Sequence, residues 1–457
     1  MLKRITAIIT AALIFVMCCV PCASAATFTI DEKITSQAVY LLNLDTETVV
    51  FERNSEKKMY PASTTKIMTY IIVVENVSDL NGEKVLVDKE ILDKLIGTGS
   101  SLSNLEYFVG QYVTVYDLLN CLMVKSGNDA ALLLAHHIGE GSIQKFIDMM
   151  NAKAEELGCE NTHFMNPHGL HDEDHYTTAS DLAVITRYAQ TLPYFNEITN
   201  TLTAYLSVDT AKEYPLISTN YMINETSGGD YYYPYAKGIK TGTTDEAGYC
   251  LVSTANYSGY TYLCVVMGSP CIDSNGKQIE TNGAMMDSRT LYKWAFTHLE
   301  IKSVISEQTP VCEIPVQLAW DQDTVLLVPQ KAYSTILPTD VEPSSIDISV
   351  NIPESLTAPV IEGTVIGTAT ISYANQELTT VDLIASETVE RSKILYFLDY
   401  ATKVLHSRYV LIAAIVVVLL LIFYIIVTIA YNNRKKRNKA MKDRKKRRRK
   451  KGTTNNK

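Results

Sequence analysis

Apolar and polar positions divide the chain into a long mixed region, a shorter run of strands and one uninterrupted apolar stretch. Residues 38–42 and 48–51 read as two strands joined by a polar turn at 43–47. Ile67, Met68, Ile71, Ile72 and Val74 follow helical spacing, which predicts a buried helix starting near Pro61 and Ser63. Residues 115–124 predict a helix, 126–128 a break, and 130–138 a second helix opened by Asn128 and Asp129. Helical spacing recurs at Ile143, Phe146, Ile147, Met150 and Ala154, and over 180–188 with Ser180 as cap. Residues 162–178 and the Gly- and Tyr-rich 226–235 read as loops, and 236–241, 249–255 and 260–267 as strands. A helix over 282–299 buries Met285, Leu291, Trp294 and Ala295. Strands, a helical block, strands and a closing helix predict an α/β fold: an antiparallel sheet with helices and a helical insert between its halves.

Beyond residue 306 the pattern changes to short strands at 311–316, 324–328, 345–352, 365–373 and 377–384, which predict a small all-β domain. Clean alternation over 345–352 predicts one buried face there. Residues 389–406 read as an amphipathic helix carrying Ile394, Leu395, Leu398 and Ala401 on one face. No charge interrupts 409–431, a run of about 35 Å as a helix, enough to cross a bilayer core. Lys3 and Arg4, an apolar run and Ala23-Ser24-Ala25 give the chain a secretory leader over 1–25. The expected divisions are a leader at 1–25, an α/β domain at 26–306, a β domain at 307–387, a juxtamembrane helix at 388–408, a span at 409–431 and a basic tail at 432–457.

Charge sharpens this reading. Fifteen of the 41 basic residues lie after residue 433 and two in the leader, against one of the 50 acids, so the stretch between carries a net charge of −25. A basic tail directly after a span fits a topology determinant and an anionic-lipid contact better than nucleic-acid binding. The expectation is an exported protein held in the cell membrane, with residues 26–408 outside and the C-terminus inside. Six cysteines lie beyond the leader with no C-x-x-C spacing, so a zinc cluster has no support; Cys121 and Cys250 sit in apolar runs as buried thiols. His163, His168, His171 and His175 share one loop but lack the H-E-x-x-H pattern, and loop structure is the expectation for them.

Three short motifs carry the chemistry. Ser63 precedes Lys66 by three residues, so on a helix the two side chains share a face. A lysine whose pKa is lowered by burial or a nearby cation can take the proton of a serine hydroxyl. Ser126-Gly127-Asn128 and Lys240-Thr241-Gly242 follow in the order S-x-x-K, S-x-N, K-T-G, the signature of penicillin-recognising serine enzymes.

With these motifs, and with Asn166-Pro167-His168-Gly169-Leu170 and His175-Tyr176-Thr177-Thr178-Ala179, the chain resembles the low-molecular-mass penicillin-binding proteins. Within them it resembles the serine-type D-alanyl-D-alanine carboxypeptidases of the peptidase S11 kind, over roughly residues 30 to 390. The resemblance implies a β-lactamase/penicillin-binding transpeptidase-like catalytic domain. It implies that Ser63 forms an acyl-enzyme with the penultimate D-alanine, that Lys66 takes its proton and that Ser126 relays the proton to the departing amine. Asn128 would hold the peptide, and Lys240 and Thr241 the terminal carboxylate. Gly242 would let the strand approach, and the backbone N–H groups of Ser63 and Thr243 would form the oxyanion hole. No cofactor or metal is implied. The implied partners are a peptidoglycan stem peptide ending in D-Ala-D-Ala, β-lactams as covalent inhibitors, and the cytoplasmic membrane through the C-terminal helix and basic tail.

Two positions depart from the family pattern: Thr243, where relatives often carry histidine or tyrosine, and Lys237, where they often carry aspartate. A class A β-lactamase would need an E-x-x-L-N segment, and none follows Ser126. A transpeptidase or endopeptidase of the same fold remains as an alternative, as does a non-catalytic wall-binding surface protein.

Overall fold

Alternating side chains on five strands supply two cores at once. In β1 (Ala38–Asn43), Ala38 and Leu42 belong to one buried cluster while Val39 and Leu41 belong to another on the opposite face. The computed structural model describes residues 28–452 apart from 209, 210 and 375, so the proposed leader at 1–25 lies outside the described residues. β1 pairs with β2 (Thr48–Arg53), and the sheet continues through β3 (Ala236–Thr244), β4 (Gly248–Tyr257) and β5 (Tyr260–Ser269) in the order β2-β1-β5-β4-β3. All neighbours are antiparallel. Burial on both faces explains why β4 and β5 read as near-continuous apolar runs.

One face packs on α6 (Gly283–His298), which buries Met285, Leu291, Trp294 and Ala295. The other face packs on a helical block between β2 and β3: α1 (Lys66–Asn76), α2 (Val115–Met123), α3 (Asn128–Ile138), α4 (Ile143–Glu156) and α5 (Ala179–Ala189). Ser142 caps α4 by accepting from the Lys145 amide at 3.2 Å. α5 is capped by Thr178, which accepts from the Asp181 amide at 3.1 Å, and not by Ser180: the helix starts earlier because Ala179 is already buried. All six cysteines from Cys121 to Cys312 are free thiols.

Two compact units are present. The first comprises the described residues up to Ser306 with 332–349 and 370–380; the second comprises 307–331, 350–369 and 381 onward. The second unit contains Cys312–Gln317 antiparallel to Thr324–Pro329 and a core including Ile314, Val316, Val325, Leu327 and Leu383. The strand Asp347–Asn351 is exposed at every position, with Ile348 and Val350 each 41 % exposed. Its alternation marks a strand correctly but not a buried face, because period alone does not say what covers a face. Lys393–Leu405 forms the amphipathic helix, and a continuous helix follows over Arg408–Gly452. Part of it is long and apolar enough to cross a membrane.

Candidate active site

The site is built where the turn before α1 meets β3. The sequence predicts Ser63 and Lys66 on one α-helix, but the chain makes a 3₁₀ turn over Ala62–Thr65, and the α-helix begins only at Lys66. In a 3₁₀ turn residues three apart eclipse one another, so the tighter geometry aligns the pair well. Lys66 Nζ lies 2.8 Å from Ser63 Oγ. Ser63 stays half-exposed while Lys66 is fully buried.

Lys66 Nζ also reaches Asn128 Oδ1 at 2.6 Å and the His168 carbonyl at 2.8 Å. Neither oxygen can donate. A neutral amine has two hydrogens, which these acceptors take, leaving its lone pair for the serine hydroxyl. Burial pushes the Lys66 pKa well below the usual lysine value, the Lys240 charge lowers it further, and Asp129 opposes both. Burial and the Lys240 charge therefore favour the amine form, in which the lone pair can face the Ser63 hydroxyl.

Asn128 opens α3, with Gly127 at its N-cap position. Its Nδ2 donates to Ser100 Oγ at 3.0 Å, leaving one hydrogen available. Ser126 precedes it in the left-handed region, φ +63°, and is buried. Asp129 fastens this corner by accepting from the Ser103 amide at 2.8 Å and the Ser103 hydroxyl at 2.7 Å.

β3 brings Lys240, Thr241, Gly242 and Thr243 to the other wall. Lys240 is buried, its Nζ donates to the Thr241 carbonyl at 3.0 Å, and burial lowers its pKa to about 7. Thr241 Oγ1 lies 2.6 Å from Thr219 Oγ1. A Cβ on Gly242 would stand 3.0 Å from the Ser63 amide nitrogen and 3.1 Å from the Pro61 carbonyl oxygen, so only glycine lets β3 come this close to the serine. Gly242→Ala should retain the fold and slow acylation about 10²-fold, the cost of a small misplacement of reacting groups. Stopped-flow acylation checks this; an unchanged rate would mean the close approach carries no function.

Ser63, Ser126, Thr241, Gly242 and Thr243 line one cavity of about 360 Å³. Lys66, Asn128 and Lys240 stand behind it, joined by the contacts above. Sequence reasoning does not single out Ser101, Thr219, Glu280 or Asn282, which share the cavity with Tyr221 and Tyr231. Nor did it assign a role to Gly169, where a Cβ would fall 1.8 Å from the Ala62 carbonyl oxygen. The Asn-Pro-His-Gly-Leu motif was the available signal. Lys237 is exposed at the start of β3.

An antiparallel sheet flanked by helices, with a buried lysine against a cleft serine, defines a serine enzyme of the penicillin-recognising class. The D-alanyl-D-alanine carboxypeptidase family model, peptidase S11, matches residues 24–271, and the C-terminal domain of penicillin-binding protein 5 matches 300–391. The chain is 28 % identical over 364 residues to the D-alanyl-D-alanine carboxypeptidase DacF of Bacillus subtilis, covering 79 % of this chain and 88 % of that one. It is 34 % identical over 270 residues to a D-alanyl-D-alanine carboxypeptidase of Streptomyces, covering 57 % and 91 %. Among solved structures it is similar to penicillin-binding protein 5 from Haemophilus influenzae, at 26 % identity and a TM-score of 0.61 over 80 % of this chain and all of that one. The Streptomyces K15 DD-transpeptidase is similar at 31 % identity and a TM-score of 0.51, over 59 % of this chain and all of that one. The chain belongs to the D-alanyl-D-alanine carboxypeptidase family of serine peptidases.

Proposed function

We propose that this protein is a penicillin-sensitive serine D-alanyl-D-alanine carboxypeptidase that removes the terminal D-alanine from peptidoglycan stem pentapeptides. The observation that carries the reading is the three-way engagement of Lys66 Nζ by Ser63 Oγ, Asn128 Oδ1 and the His168 carbonyl. Ser63 Oγ attacks the carbonyl of the penultimate D-alanine as Lys66 takes its proton. The amides of Ser63 and Thr243 stabilise the oxyanion. Ser126 passes the proton to the amine of the departing D-alanine. The free hydrogen of Asn128 Nδ2 holds the peptide, and Lys240 and Thr241 receive the terminal carboxylate. Water then attacks the acyl-enzyme, giving a shortened peptide acid and restoring the hydroxyl.

The direct test incubates the protein with a pentapeptide ending in D-Ala-D-Ala and measures released D-alanine. Release that depends on Ser63 supports the reading; no release from any such peptide overturns it. A second reading is favoured by the similarity to a DD-transpeptidase. In that case an amine acceptor, added to the same assay, would capture the acyl group in preference to water.

The apolar stretch within Arg408–Gly452 anchors the protein, with the basic end at the cytoplasmic face and the catalytic unit outside. Protease added to intact spheroplasts should digest residues 26–408 and spare the tail. Cleavage of the tail would reverse the orientation.

A further inference from the structure

The loop between α4 and α5 holds the catalytic turn and the first turn of α1 through three hydrogen-bonded contacts. Its His168 carbonyl accepts from Lys66, and its Pro167 carbonyl accepts from Thr69 Oγ1 at 2.6 Å. The third point is His175, which is 2 % exposed and lies across the fold from residues over a hundred positions earlier. His175 Nδ1 accepts from the Met165 amide at 3.0 Å. That nitrogen therefore carries no proton, and the ring proton sits on Nε2. His175 Nε2 lies 2.8 Å from Thr65 Oγ1, so it donates to that hydroxyl. Thr65 Oγ1 in turn donates to the Ala62 carbonyl at 2.8 Å.

Ala62 stands immediately before the nucleophile and holds φ +46°, a conformation that is unfavourable for a non-glycine residue. Something must hold it there. Gly169, from the same loop, also lies close against the Ala62 carbonyl. The chain of donors runs one way: Met165 amide to His175 Nδ1, His175 Nε2 to Thr65, Thr65 to Ala62.

Resting on the assignment of Ser63 as nucleophile, we infer that His175, acting through Thr65, is a positioning residue that fixes the Ala62 turn and so holds the Ser63 hydroxyl at Lys66. His175 touches neither substrate nor reacting atom. It works only as the Nε2–H tautomer; a second proton would turn Nδ1 from acceptor to donor, facing the Met165 amide. Burial lowers its pKa to about 4, and Asp172 partly opposes this while His163 and His171 reinforce it. His168, itself buried, and Phe164, whose ring stands edge-on at 5.7 Å, complete the surroundings. The clamp is therefore engaged at neutral pH and released as pH falls through about 4.

The test compares Thr65→Val, which keeps the shape and loses the hydroxyl, with Thr65→Ser, which keeps the hydroxyl, and with His175→Ala. Acylation by a fluorescent penicillin is read as a rate per titrated active site, with the thermal midpoint recorded beside it. Thr65→Val and His175→Ala should each slow the rate per site about 10²-fold, and Thr65→Ser should stay near the wild type. The double variant Thr65→Val, His175→Ala should be no slower than either single, since both break one chain. Packing alone would lower the midpoint and the number of active sites while leaving the rate per site unchanged; that result, equal rates for Thr65→Val and Thr65→Ser, or additive losses would overturn the inference. Should the variants not fold, the wild-type protein decides: ¹⁵N-histidine spectra must show His175 protonated on Nε2 alone until about pH 4, and an Nδ1–H tautomer overturns it. Absence of any label on the wild type would refute the Ser63 reading instead, while the tautomer remains measurable.

Discussion

Lys66→Ala should lower acylation by every donor about 10²- to 10⁴-fold, the usual worth of a general base. The reason is local. The Ser63 hydroxyl has one basic nitrogen within hydrogen-bonding distance, at 2.8 Å, and the carbonyls of Asn128 and His168 orient it. The variant also strands those two oxygens, each at a cost of about 1–3 kcal/mol if left unsatisfied, so the thermal midpoint must be recorded with the rate. The pH dependence has a definite sign. As a general base Lys66 would act only when unprotonated, and burial and Lys240 lower its pKa, so activity should persist to lower pH than a solvated lysine would allow and be lost as pH falls through the lowered value. Measuring the acylation rate for a penicillin and for a neutral thioester checks the claim. Equal rates for variant and wild type would remove Lys66 from the reaction.

Lys240→Ala should separate substrates where Lys66→Ala does not. In the proposed reading Lys240 receives the terminal carboxylate, and the effect it has on Lys66 is through charge. The ratio of kcat/KM between a peptide acid and a thioester lacking that carboxylate should collapse for Lys240→Ala alone. A carboxylate partner can account for about 1.5–3 kcal/mol, roughly 10- to 150-fold in that ratio. Burial sets the Lys240 pKa at about 7, and only the protonated form is a cation, so KM for the peptide acid should rise as pH rises above about 7. If both variants lose the two activities in equal proportion, the lysines act as one electrostatic unit.

Much of this geometry could be read from the chain because it is local. Ser63 and Lys66 are three residues apart, and Gly242 follows Lys240 by two, so spacing alone brings each group together. The strands showed themselves through β-rich apolar runs, although β4 and β5 are buried on both faces and alternate little. What escaped the sequence is long-range or conformational. A 3₁₀ turn and an α-helix start look alike in residue type, so the boundary at Lys66 was invisible. His175 opens one of the motifs that carry the resemblance, but nothing local gives its side chain a role; its contact with Thr65, 110 positions away, does. The Asp347–Asn351 strand alternates as a half-buried strand should, yet every residue is exposed, because alternation records pleat and not cover.

The most direct measurement is peptide mapping of the protein after reaction with penicillin. The β-lactam carbonyl stands in for the D-Ala-D-Ala peptide bond, so the account predicts one penicilloyl adduct, on Ser63, absent from Ser63→Ala. An adduct on any other residue, or a label that survives Ser63→Ala, would contradict it.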